Sequence, residues 1–141
     1  MITKICNKKY PEATHLQQIK GVGPITSLTF ILTLEKHNRF KKSRDVGPFL
    51  GLVPKRDQSG DTDKQLSITK SGNSYLRSTL VSAAHYILGP FGEDCDLRRY
   101  GLRKAARGGK AAKRKAVVAV ARKLAVLMHS LWKSGETYEP L

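Results

Sequence analysis

Acidic side chains are scarce in this 141-residue chain. Asp and Glu number 11 against 26 Lys and Arg, giving a formal net charge of +15 and a pI near 10.1. So lopsided a balance points to a polyanionic partner, nucleic acid or an anionic membrane surface. Long hydrophobic runs are also missing. The best candidate, 117–128, is broken by Arg122 and Lys123, so no stretch suits a bilayer span. Nor does Met1-Ile2-Thr3-Lys4 open onto the apolar region of a signal peptide. Cysteine is limited to Cys6 and Cys95, in no close motif; buried or incidental thiols and a cytoplasmic location are the expectation. The histidines His15, His37, His85 and His129 lack zinc-like spacing and receive no ligand role. Glu93, Asp94 and Asp96 form an acidic island, but no second cluster supports a metal site, and an exposed turn or a helix N-terminus accounts for them. No metal site is therefore assigned.

What is present reads as one helical domain. The length suits a single core, and a hydrophobic share of 40% with a mean hydropathy of −0.38 is that of a soluble globular chain. Residues 1–12 read as a leader or linker and 13–141 as the domain. A short helix is expected over 13–20 with Leu16 and Ile19 inward, then Gly21-Val22-Gly23-Pro24, then a helix over 24–35. Leu28, Ile31, Leu32 and Glu35 supply the inward face of that second helix. This order over 13–35 is that of a helix-hairpin-helix. Gly21 and Gly23 permit the tight turn and leave backbone N–H groups bare for a phosphate oxygen, and small Ser27 allows close helix packing. A plain helical corner is the alternative. Phe40 anchors a basic loop, Ser43 is the expected N-cap of a short helix through Leu50 bent at Gly47-Pro48, and Gly51 ends it. A helix over 71–88 carries the stripe Leu76, Leu80, Ala83, Ala84 and Ile87, stopped by Gly89-Pro90. The 98–134 region is basic, with Gly108-Gly109 as a break and a last helix over 111–134. That helix buries Val117, Val120, Leu124, Leu127, Met128 and Leu131, with Trp132 at the core edge and Gly135 as cap.

Between these helices lies Gly51-Leu52-Val53-Pro54-Lys55-Arg56-Asp57-Gln58-Ser59-Gly60, a polar loop, then Ile68-Thr69-Lys70-Ser71-Gly72-Asn73-Ser74-Tyr75-Leu76-Arg77. Pro54 and Gly60 disfavour helix on either side of Ser59; a short β-hairpin around 53–58 and 65–69 is the expected local structure. Lys55, Arg56, Lys70 and Arg77 surround a serine hydroxyl with cations, which suits chemistry on a phosphodiester, although Ser-Gly is also an ordinary turn.

The order G-L-x-P-[KR]-[KR]-x-x-S-G, polar loop, I-[TS]-K-x-G-N-x-x-L-R resembles the C-terminal domain of the DEDD-type insertion-sequence transposases, the enzymes described as guided by a bridge RNA. The resemblance extends upstream to 16–34 and downstream to the basic C-terminal helix. It implies that Ser59 attacks DNA and forms a phosphoserine link, and it favours Lys70 and Arg77, with Lys55 and Arg56, as phosphate contacts beside the Gly21 and Gly23 read from the hairpin. It further implies DNA as partner and leaves open a guide RNA and a homo-oligomer. In that family an RNase H-like domain with four acidic residues binds Mg²⁺. Nothing in this sequence resembles it, so no cofactor is expected within the chain, and a fragment or truncated form is the expectation.

The expected fold is mainly α: a compact bundle of about five or six helices holding the hairpin (13–35), one irregular serine loop (51–77) and the basic region (98–134). The function this implies is that of the serine-bearing, DNA-binding part of a transposase. The competing readings are a non-enzymatic helix-hairpin-helix DNA-binding module or domesticated remnant, and a basic RNA-associated structural protein. The last fits poorly, because the cations are spread through a packed helical pattern.

Overall fold

Residues 10–52 and 71–139 are described by a computed structural model, with 71–73 described as backbone. Within them lie six α-helices: α1 (Pro11–Leu16), α2 (Pro24–Leu34), α3 (Val46–Phe49), α4 (Ser71–Leu88), α5 (Asp96–Ala105) and α6 (Gly109–Ser134). Two 3-10 turns, His37–Arg39 and Ser43–Asp45, precede α3, and no strand occurs among the described residues. The mainly α bundle expected from the sequence is the observed architecture. The expected β-hairpin, and Ser59 with it, lies outside the described residues.

The longest helix, α6, is the axis of the bundle. Ala116, Val120, Ala121, Leu124, Ala125, Met128 and Leu131 are buried along it. Around it pack α1, α3, α4, α5 and both 3-10 turns, while α2 rests on α1 and α4. The stripe of α4 is fully used: Leu76, Leu80, Ala83, Ala84 and Ile87 are all buried. Leu16 and Ile19 are inward as their spacing requires, although the α-helix itself ends at Leu16. Gly51 is left-handed at φ 76°, and the N–H of Leu52 reaches back to the Gly47 carbonyl at 2.9 Å, ending α3 as expected.

Three expectations are corrected. On α2 the buried face is Ser27, Phe30, Ile31 and Leu34, while Leu32 is half exposed and Glu35 is on the surface. Burying Phe30, the largest apolar side chain of the helix, rotates the face toward α1, α4 and Trp132, whose ring lies edge-on to Phe30 at 6.3 Å. Residues 96–105, read only as part of a basic tract, form α5. The apolar strip of α5 is narrow, with Leu97 and Gly101 buried one turn apart. A Cβ on Gly101 would lie 2.5 Å from both Leu88 and Val120, so the missing side chain is what lets α5 settle on α6. Finally, Ser43 caps no helix.

The Ser43 hydroxyl instead donates to Nδ1 of His129 at 2.7 Å, and Nε2–H of His129 donates to the His37 carbonyl at 2.7 Å. These partners fix the neutral Nε2–H tautomer. Burial is the main cause holding the His129 pKa below its ordinary value; the His37 carbonyl opposes it, and the charges of Lys133 and His37 add to it. Nζ of Lys133 donates to the Lys41 carbonyl at 2.9 Å, and Phe40 packs edge-on to Phe49 and His129. The 37–45 segment is thus fastened to the C-terminal half of α6 by polar and aromatic contacts together.

Candidate nucleic-acid interface

A wide groove of about 2080 Å³ runs between α4, α5 and one face of α6, with Gly51 and Leu52, just after α3, also lining it. Its cations come from three walls. Arg77 stands on α4; Lys104 and Arg107 stand on α5 and just beyond it; Arg114, Lys115, Arg122 and Lys123 stand on α6. Ala111, Ala112, Val118 and Ala119 of α6 lie between its cations, a low floor that an extended backbone could approach closely.

Only one acid, Asp96, lines the groove among the described residues. Its Oδ1 already accepts the Leu97 N–H at 2.8 Å and the Tyr138 hydroxyl. Burial first, and then the neighbouring Asp96 carboxylate, push the Tyr138 hydroxyl well above the ordinary tyrosine range and keep it a donor. Tyr138 is held in turn by Gln18, whose Oε1 accepts the Tyr138 N–H. The groove therefore keeps a net positive field that favours an anion.

The cations of the basic tract are not equivalent. Arg98 turns inward, donating to the Ile87 and Gly89 carbonyls at 2.7 and 2.6 Å, and so satisfies the C-terminus of α4. Arg99 pairs with Asp94 at 2.8 Å. Glu93 lies 3.9 Å from Lys20. Each carboxylate of the acidic island thus has a protein partner. Arg77, an expected phosphate contact, donates to the Leu50 carbonyl at 3.2 Å while lining the groove. It thereby ties α4 to the end of α3.

Gly21 and Gly23 lie elsewhere, on a smaller hollow of about 460 Å³ that they share with Thr26, Thr79 and Tyr86. Ser78 and Ser82 line both hollows, so one edge of α4 separates them. The two glycines differ. Gly21 has φ 97° and packs against α4, where a Cβ would meet Ile87 at 3.2 Å; Gly23 faces open space. Gly21 thus lies against α4, while Gly23 precedes α2 as its extended N-cap residue. Ser27, buried, turns its hydroxyl back to the Gly23 carbonyl at 2.9 Å. Ser59, Lys55, Arg56 and Lys70 lie outside the described residues, but Gly51, Leu52 and Ser74 on either side of that segment line the large groove.

Reading the residues in order identified the basic tract but not its wall-by-wall placement, and missed Tyr100. Tyr100 lines the groove with the ammonium groups of Lys104 and Lys123 over its ring. The spacing of Tyr100 and Lys104 on one helix face was a usable signal; Lys123 needed the α5–α6 pairing.

Residues 13–92 match the family described as Transposase IS116/IS110/IS902. The chain belongs to that family. Across 135 residues it is 30% identical to the transposase for insertion sequence element IS1111A of Coxiella burnetii, covering 96% of this chain and 36% of that protein. It is 39% identical over 69 residues to the putative transposase y4qE of Sinorhizobium fredii, covering 49% of this chain and 18% of that protein. It is 35% identical over 72 residues to the transposase for insertion sequence element IS1328 of Yersinia enterocolitica, covering 51% of this chain and 22% of that protein. This member of the transposase family thus spans roughly a third or less of the length of these relatives. No solved structure matches it. Among its described residues no helix is long and apolar enough to cross a membrane, and no group of His, Cys, Asp and Glu side chains is placed to hold a metal.

Proposed function

We propose that this chain is the serine-bearing, DNA-binding part of an insertion-sequence transposase, acting in DNA recombination through a phosphoserine intermediate. The observation that carries the reading is the groove: cations converge on it from three walls, and its single acid among the described residues is already engaged. Phosphates are the ligand this chemistry fits, and contacts to them position a duplex without reading its sequence. The N-terminus of α2, with Gly21 and Gly23 before it, would add backbone N–H groups across the Ser78–Ser82 edge, completing a helix-hairpin-helix contact.

Ser59 lies outside the described residues, and Leu52 and Ser74, on either side of it in the chain, line the groove. In this reading Lys55, Arg56, Lys70 and Arg77 neutralise the scissile phosphate. The Ser59 oxygen bonds to phosphorus, its proton passes to a base, and a deoxyribose oxygen leaves with the electrons of the broken P–O bond. The base and the Mg²⁺ come from an acidic RNase H-like domain acting with this chain, whose own residues bind and orient the DNA. The plan is a hairpin over 13–35, a serine loop over 51–77 and a basic region over 98–134. A guide RNA, self-association and a cytoplasmic site of action are compatible with it.

The test joins the chain to the acidic domain of a relative, adds target DNA and guide RNA, and traps the protein–DNA adduct. Ser59→Ala abolishes the adduct while DNA binding stays, weakening steeply with salt by a log–log slope of about −0.9 per phosphate neutralised. An adduct that survives Ser59→Ala, or that maps to Ser67, Ser71 or Ser74, overturns the assignment of the nucleophile. Salt-independent binding, or none at low salt, overturns the DNA reading itself.

A further inference from the structure

Two ammonium groups from different helices meet at one aromatic ring in the groove. Nζ of Lys104, one turn along α5, lies 5.2 Å from the Tyr100 ring centroid, and Nζ of Lys123, from α6, lies 4.2 Å from it. Gathering two like charges is unfavourable unless something holds them. The usual device is a carboxylate, but neither lysine is paired with one among the described residues. Asp96, the one acid lining the groove, accepts from Leu97 and Tyr138 instead.

A ring face differs from a carboxylate in a way that matters for function. The ring quadrupole attracts an ammonium without cancelling its charge. An ammonium also carries three N–H donors, so engaging the ring on one side leaves donors for a second partner. Free lysine side chains lose considerable rotamer entropy when they settle on a ligand; two lysines already resting on Tyr100 have lost part of it beforehand. The arrangement is a pre-set pair of undischarged cations on the wall of an anion-binding groove.

We infer that Tyr100 is a positioning residue that holds Lys104 and Lys123 together as a clamp on one phosphodiester of the bound backbone. The inference rests on the groove being the nucleic-acid site and adds which residues grip and what sets them. It also distinguishes the clamp from simple packing of the α5–α6 seam, which any apolar side chain of similar size would serve.

The test measures binding of the whole chain and its variants to a duplex oligonucleotide across a salt series, with thermal melts alongside. Tyr100→Phe keeps the ring face and binds as the unaltered chain does. Tyr100→Leu keeps apolar bulk and weakens binding about 5- to 30-fold at low salt, the effect of two ring–ammonium contacts. Lys104→Gln with Lys123→Gln flattens the salt slope by about 0.9, one phosphate's worth. In that double background Tyr100→Leu costs nothing further, because the ring acts only through the two lysines. Should Tyr100→Leu fail to fold, the single lysine variants decide: each alone loses nearly as much as both together. Strictly additive lysine losses, an unchanged or tighter Tyr100→Leu, or a Tyr100→Leu loss that persists without the lysines overturns the clamp while leaving DNA binding intact. If the unaltered chain shows no salt-dependent binding, both the clamp and the function on which it rests are overturned.

Discussion

The two faces of α6 belong to one continuous helix and are put to opposite uses. On one face Arg114, Lys115, Arg122 and Lys123 line a groove. On the other Val120, Leu124, Met128 and His129 are fully buried, and even the polar member is satisfied on both ring nitrogens. The first face is surface held open; the second is core. What separates them is what each face meets, since the first lines the groove shared with α4 and α5 while the 37–45 segment closes over His129 in the second. A count of cations per helix would not have found the boundary.

The comparison breaks most sharply at Leu124. Truncation to Ala removes a fully buried side chain and is expected to cost about 2–5 kcal/mol by denaturant unfolding, whereas Lys115→Ala changes stability by no more than about 0.5 kcal/mol. Equal effects would erase the distinction between the faces. Arg98 sharpens it from another direction, being a cation of the basic tract that serves the fold. Arg98→Met leaves the Ile87 and Gly89 carbonyls without their charged donor and should lower stability by roughly 2–3 kcal/mol, leaving DNA affinity per folded molecule nearly unchanged. A large loss of affinity with intact stability would place Arg98 among the groove cations instead.

The smallest effect is on pH dependence. His129 has a lowered pKa in the fold, so the unfolded chain takes up its proton first as pH falls. The stability linked to neutral His129 is full above about pH 6.5 and is lost as pH drops below it toward the folded value, by at most about 1.4 kcal/mol per pH unit. Melts between pH 7.5 and 5 should show this decline, and His129→Gln should flatten it. An unchanged slope in His129→Gln would mean that the histidine titrates alike in both states.

Much of this fold was legible in the chain. The α4 stripe and its Gly89-Pro90 stop were readable because an 18-residue helix repeats its apolar spacing often enough to fix a face. On α2, an 11-residue helix that is apolar nearly all round, spacing alone could not choose between faces, and the position of Phe30 decided it. The α5 helix was hidden because its buried strip is narrow and lies under arginines. Ser43 had the chemistry of a cap, but His129, distant in sequence, claimed its hydroxyl. Of the expected phosphate contacts, Arg77 lies in the groove and the glycines on its far side. Which cations converge, and around which ring, depended on α5 folding back along α6, information that no local window contains.

Gly108, the N-cap of α6, and Gly109, its first residue, have φ of 100° and 80°, and a Cβ on either would touch nothing within 4 Å. The register of the two helices is therefore set at Gly101, against Leu88 and Val120, and the joint merely closes the circuit. Residues added between the two glycines would lengthen the rim of the groove while its walls kept their seating. This exposed corner is where a reporter dye or an extra basic finger can be grafted without retuning the core.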